Sequence, residues 1–306
     1  MSLERLHCSS EGTEGAIALY TYDLAPVLTV ESEVELSLLD TPSQPSASGP
    51  DIVVRRREIS TPTVEWTGHH AVITVPPSVT VEKAASAEPE RFTKILLSTI
   101  QAMLLRQRAT LAFGSALRGP DGNGVGLFGP TNCGKSTASF RLAREWGYQL
   151  LADDLLIFQE GWVYPFPRYL NLPRDVPAVE RWVRSEGATF DQVRLWPDEV
   201  DVPRRFVTES VPERVRLDVV LLVTPCEHPG GDPEPVSTEA AIRAVTEFCR
   251  SALGGWISEP LAREAIKDGS VDRRSIIGET ITDAACYRLE APQTGLARSV
   301  AEFVDR

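Results

Sequence analysis

Apolar side chains recur at every second position through much of residues 15–80, the period of a strand with one buried face. The pattern predicts strands at 16–20, 27–31, 34–38, 51–54 and 71–75, with Val34, Leu36 and Leu38 alternating against Glu35 and Ser37. Residues 41–50 are polar and rich in Pro and Ser, and they read as a loop within this region, because strand patterns continue on both sides. From residue 89 to 108 the period changes. Phe92, Ile95, Leu96, Thr99, Ile100, Met103 and Leu104 fall on one face at helical spacing, which predicts a core-facing helix. Residues 109–128 return to β, as two strands around the turn Gly119, Pro120, Asp121, Gly122 and Asn123.

A helical pattern follows over 138–146, and then an apolar strand from Tyr148 that ends in Asp153 and Asp154. Residues 155–158 and 162–164 flank Glu160 and Gly161 and predict a hairpin. The three prolines of residues 165–174 argue against regular structure there. Residues 178–213 are mixed and polar, with Trp182 and Trp196, and are suited to a lid or a substrate wall. A long buried strand is predicted at 216–224, then an acidic Pro/Gly loop at 225–235. A helix capped by Ser237 runs to Leu253, where Gly254 and Gly255 stop it. A strand at 286–290 and a helix after Thr294 close the chain.

The chain has 306 residues, 42% of them hydrophobic, enough for one large domain or two modest ones. We divide it into a β-rich region, 1–88, and a second unit, 89–306. No run approaches eighteen apolar residues, and Met1 to His7 carry neither a basic segment nor an apolar one of the signal-peptide kind, so a cytoplasmic location is expected. Five scattered cysteines with no C-x-x-C support neither a disulfide framework nor a zinc site. A net charge of −12 excludes nucleic acid or an anionic membrane as the main partner, since both require a continuous basic surface. Any anion must then be held locally. None of the four histidines (His7, His69, His70, His228) lies near the motif described next, and His69 and His70 read as an exposed turn before the strand at 71–75.

Gly129, Pro130, Thr131, Asn132, Cys133, Gly134, Lys135, Ser136 and Thr137 match G-x-x-x-x-G-K-[ST] without a gap, between the strand-like 124–128 and the helical 138–146. Such a loop aims successive backbone N–H groups and a helix N-terminus at one point, which suits a polyphosphate. In this motif Lys135 reaches the β- and γ-phosphates and the Ser136 hydroxyl ligates Mg²⁺. Cys133 either has its thiolate favoured by the helix N-terminus or is simply a small tolerated residue. Eighteen residues beyond Lys135 come Asp153 and Asp154. A strand alternates its faces, so the two carboxylates diverge: one faces the phosphates as metal ligand or proton acceptor, while the other holds a neighbouring backbone or Arg. An Asp-rich turn that merely closes a strand is the simpler alternative.

The segment 129–137, the helix ended by Gly147, the strand Leu150, Leu151, Ala152, Asp153, Asp154, and the later Pro165, Phe166, Pro167, Arg168 together resemble the HPr kinase/phosphorylase C-terminal domain. They resemble more closely the HPr-kinase-related proteins of peptide-modification and specialised-metabolite pathways. The likeness is strongest over 109–172. It implies an α/β fold, a phosphoenolpyruvate-carboxykinase-like P-loop kinase core preceded by the β-rich N-terminal region, with ATP and Mg²⁺ as cofactors. It also implies phosphate transfer to a hydroxyl, with Lys135 binding phosphate, Ser136 binding metal, Asp153 as base and Asp154 second to it. Both aspartates join Ser136 as candidate metal ligands. Two departures stand out. Phe113 occupies the position where the family carries a histidine, which argues against phosphorylase activity, and Asn132 replaces a glycine. The Arg-Gly-rich signature of true HPr kinases is missing, which argues against HPr itself as the substrate.

The leading expectation is an ATP-dependent kinase acting on an alcohol, either a small metabolite or a peptide serine, with Arg168 lining the acceptor side. The alternative is a nucleotide-binding assembly or sensor protein with little turnover. A GTPase switch ranks lower because no Asn-Lys-x-Asp motif is present. Assembly into a homo-oligomer is left open.

Overall fold

The computed structural model describes residues 20–24, 28–33, 36, 50–58, 62–67, 70–75, 87–186, 193–195, 198–208, 210–227, 232–253 and 272–305. Among these residues it is a mixed α/β fold with four sheets. Five short strands form the first: β1 (Tyr20–Leu24), β2 (Leu28–Ser32), β3 (Ile52–Arg56), β4 (Thr63–Thr67) and β5 (His70–Val75), in the order β1-β2-β3-β5-β4. Their alternation buries Leu28, Val30, Ile52, Val54, Ala71, Ile73 and Val75 on one side. His70 opens β5 as an exposed strand residue rather than sitting in a turn, with Nδ1 2.9 Å from the Pro50 carbonyl. Most of the strands expected at 16–20 and 34–38, the loop at 41–50, His69, Trp196, and Gly254 with Gly255 lie outside the described residues.

Helix α1 (Ala87–Arg106) buries the face expected of it, from Phe92 through Leu96 and Ile100 to Met103. The segment after it differs from the two strands read in the sequence. Three strands form: β6 (Ala109–Phe113), β7 (Ser115–Arg118) and β8 (Gly124–Phe128). The chain changes sheet at Gly114. β6 pairs with β10 (Leu155–Gln159), itself paired with β11 (Trp162–Pro165), whereas β7 pairs with β8 and with β9 (Gln149–Ala152). A side chain at Gly114 would meet the Phe128 ring at 2.6 Å and the Leu127 carbonyl at 2.8 Å, so only glycine lets the backbone turn there. Hydrophobic pattern reads both strands as β but does not register a change of partner.

The central sheet runs β16-β17-β15-β8-β7-β9, with β15 (Val219–Pro225), β16 (Glu234–Pro235) and β17 (Ala285–Ala291). β8, β15 and β17 are mutually parallel, and β9, two antiparallel steps from β8, points the same way. Its two faces bury alternate residues. Val125, Leu127, Leu221 and Val223 face helices α2 (Lys135–Glu145) and, further along the chain, α6 (Leu296–Val304), meeting Phe140, Leu142, Leu296 and Val300. Phe128, Val220 and Leu222 join the cluster that holds β6, β10 and helices α4 (Thr238–Leu253) and α5 (Arg273–Ile281). That cluster also takes in the first sheet and α1. The Ser237 hydroxyl caps α4 by accepting from the Ala240 N–H at 3.2 Å. Helix α5 was not read from the sequence, although Asp272 caps it at Arg274.

Residues 165–174 are not irregular throughout. Leu170–Pro173 forms β12, which pairs with β14 (Glu199–Val202), and β14 pairs with β13 (Arg194–Leu195). β12 is an edge strand, the place where a proline's missing donor costs no ladder hydrogen bond. The mixed region beyond it supplies α3 (Pro177–Ser185), this small sheet and a 3-10 turn at Arg204–Phe206.

Candidate active site

Ligands of open α/β sheets bind beyond the carboxyl ends of parallel strands. Here those ends belong to β8, β9, β15 and β17, so the loop after Phe128 and the acids after Ala152 emerge at one edge of one sheet. β7 runs the opposite way, and its first residue, Ser115, arrives at the same edge.

The loop 129–134 joins β8, wholly buried, to α2. Asn132 (φ 62°) and Gly134 (φ 93°) are both left-handed, as the positive-φ tolerance of Asn allows. Such alternation turns successive N–H groups inward into an anion-binding concavity. No side chain caps α2 at Gly134 and no acid sits in its first turn, so its positive end is left to a ligand. Pro130, Thr131 and Asn132 are exposed and Cys133 is fully buried.

Lys135 is buried. Its ammonium donates to the carbonyls of Gly129 (3.1 Å) and Pro130 (2.8 Å) and sits 4.7 Å from the centre of the Phe113 ring. The aromatic at the position where the resemblance expects histidine thus faces Lys135.

The two aspartates follow the end of β9 at Ala152 and take different partners. Asp153 is 4% exposed and accepts from the Ser115 hydroxyl through Oδ1. Its Oδ2 is also buried and closes no hydrogen bond with the protein. Burial, and after it the charge of Asp154, pushes the Asp153 carboxyl up to about 6, against the opposing pull of the Ser115 and Ser136 hydroxyls and the Lys135 ammonium. Asp153, Lys135 and Ser136 therefore share one buried corner. Asp154, at φ 65°, turns away and meets Arg168 at 3.1 Å, both side chains half-buried. The structure brings Arg168 to the site and pairs it with Asp154, whose charge still reaches the Asp153 carboxyl.

Among the described residues no three His, Cys, Asp or Glu side chains gather into a cation site. That donor set still fits Mg²⁺ bound with a nucleotide, which takes one or two protein carboxylates and completes its shell with phosphate oxygens and water. The Ser136 hydroxyl and the Asp153 carboxyl are the candidate donors there.

Three neighbours escaped sequence reading. Ser115 is an ordinary strand residue until β7 is paired. Arg204 donates from its guanidinium to the Leu151 carbonyl, two residues before Asp153. Gln293 donates from its side-chain amide to the Asn132 carbonyl. Only the alternation that assigns Ser115 to a face offered any signal, and no local pattern marks the other two. No helix among the described residues is long and apolar enough to cross a membrane.

No family model matches the chain, and no curated protein does. Among solved structures it is similar to the HPr(Ser) kinase/phosphatase from Coxiella burnetii, with 14% identity, 64% of this chain and 88% of that chain covered, and a TM-score of 0.32.

Proposed function

We propose that the protein is an Mg²⁺-dependent kinase that transfers the γ-phosphate of ATP to a hydroxyl of a small metabolite or a peptide serine. The observation that carries this reading is the buried corner where the unsatisfied Asp153 Oδ2 stands beside Lys135 and Ser136 of the phosphate loop. A carboxylate with an idle oxygen and a proton affinity raised toward neutrality is suited to take a proton from an alcohol.

In this reading the backbone amides of 129–134 and the first turn of α2 hold the phosphates, and Lys135 leaves its own loop carbonyls to contact them. Ser136 would hold Mg²⁺ with phosphate oxygens and water, which leaves Asp153 Oδ2 to the proton, and the ion would supply neutralisation of phosphate charge there. The acceptor oxygen attacks the γ-phosphorus and the bond to the leaving ADP oxygen breaks. The hydroxyl proton passes to Asp153 Oδ2 while Ser115 holds Oδ1. Arg168, fixed by Asp154, faces the acceptor or the phosphate in flight with a fork of donors.

Calorimetry with ATP and Mg²⁺ tests the binding half. Lys135→Ala should weaken binding by about 2–3 kcal/mol, the range for a lost charged hydrogen bond, and unchanged affinity would sink the assignment. For the chemical half, Asp153→Asn should lower phosphoryl transfer by roughly 10²-fold or more with the fold intact. A second reading, a nucleotide-binding assembly or sensor protein, has one observation in its favour: Lys135 is engaged by its own loop and by Phe113. The two readings separate on whether ADP accumulates only when a hydroxyl acceptor is supplied.

A further inference from the structure

A base placed to take a proton from an alcohol takes one from water as readily, because the two O–H groups present the same chemistry to it. With water as nucleophile, its oxygen attacks the γ-phosphorus, the bond to the ADP oxygen breaks and the proton passes to Asp153 Oδ2. ATP is then spent as ADP and inorganic phosphate. Transfer to an alcohol therefore requires that water be kept from the γ-phosphate.

The short segment 113–115 reaches across the buried corner. Ser115 holds Asp153 through Oδ1, the Gly114 N–H donates to the Asp154 carbonyl at 3.2 Å, and the Phe113 ring lies 4.7 Å from the Lys135 ammonium. The ring is the apolar member of that set. The ammonium also meets the Gly129 and Pro130 carbonyls and, at 3.5 Å, the Cys133 sulfur, and Lys135 is only 4% exposed. Phe113 is itself anchored. Its backbone N–H donates to Cys249 Sγ of α4 at 3.2 Å, its strand position pairs with Leu155, and its side chain packs on the apolar cluster that contains both. The four preceding residues of β6 are buried, and only Phe113, where the strand reaches the site, is partly open.

We propose that Phe113 is a specificity-determining residue that favours an alcohol over water as phosphate acceptor, by filling the space from which a water molecule would reach the γ-phosphate. An alcohol brings carbon atoms against the ring, whereas a water there gives up hydrogen bonds and gains none from an apolar surface. The inference rests on the kinase reading and deepens it: the protein spends little ATP until its acceptor arrives.

The test needs no identified acceptor. Phosphate release from Mg-ATP is measured on the full chain without one, for wild type, Phe113→Ala, Phe113→Val and Phe113→Leu, each at a saturating concentration set by calorimetry. Phe113→Ala should release phosphate about tenfold faster than wild type or more, a barrier change of about 1.4 kcal/mol. Phe113→Val should be intermediate, and Phe113→Leu, which refills most of the space with apolar atoms, should gain least. Damage to the fold does not raise activity in that order, and the Val and Leu variants keep the series readable if Ala does not fold. Adding Lys135→Ala to the fastest variant should abolish the gain. ATP binding that depends on Lys135, with phosphate release no faster in any of the three variants than in wild type, overturns the role of Phe113 alone. A gain that survives Lys135→Ala, or that is as large in Leu as in Ala, overturns it as well. ATP binding that is absent, or indifferent to Lys135, overturns the phosphate-loop reading and this inference with it.

Discussion

Replacing Asp153 by Asn should stabilise the protein at pH 8, have little of that effect at pH 4, and remove its turnover. The carboxyl is 4% exposed and held up at about 6 from an ordinary 3.8, mainly by burial. The folded protein therefore binds this proton more tightly than the unfolded chain does. Below about pH 4 both states carry the proton and the group is neutral in its effect. As pH rises toward 6 the unfolded state gains from ionising while the folded state cannot, so stability falls, and above 6 the loss is constant. Two pKa units at 1.36 kcal/mol each set the size at about 3 kcal/mol. Asn cannot ionise and escapes this loss. Its amide leaves an N–H where Oδ2 had no partner, a penalty that does not change with pH and so cancels when the variant-minus-wild-type difference is compared between pH 4 and pH 8. Denaturant unfolding at both pH values, without nucleotide or metal, gives the number. A difference that does not grow by at least about 1 kcal/mol from pH 4 to pH 8 would refute the claim that Asp153 is buried at a cost and kept for chemistry.

Arg168→Ala should lower kcat/KM for an identified acceptor by about tenfold or more, with Arg168→Lys intermediate because a point charge replaces a fork; if both variants match wild type, the loop is scaffold. Gly114→Ala should destabilise by on the order of 1–3 kcal/mol, since the new methyl meets the Phe128 ring and the Leu127 carbonyl, and a denaturation midpoint equal to wild type would show that the sheet change tolerates a side chain. Iodoacetamide should label the partly exposed Cys226 well before Cys133, whose fully buried sulfur outweighs any activation by the helix N-terminus; peptide mapping that finds Cys133 modified at least as fast would reverse that order.

The sequence by itself determined the local structure of residues 129–137, because everything a phosphate loop would need is contiguous: a buried strand, two positions able to adopt positive φ, a lysine and a hydroxyl, then an amphipathic helix. It also determined α1, the hairpin of β10 and β11, and the capped start of α4, each written in a local period or a local cap. Which of Asp153 and Asp154 is buried was legible only as an either-or, since period two says that the acids diverge and not which way. Tertiary structure decided it, by placing β9 parallel to β8 and Ser115 and Lys135 around the inward acid. The sheet change at Gly114, the strand 170–173 among the prolines of 165–174, and Arg204 on the Leu151 carbonyl depend on partners that no local pattern names. Gln293 is the extreme case, 161 residues from Asn132 in the chain and bonded to it in the fold. Contacts of that separation arise only when elements distant in the chain are packed together, so hydrophobic period can announce each strand but not which loops will share an edge.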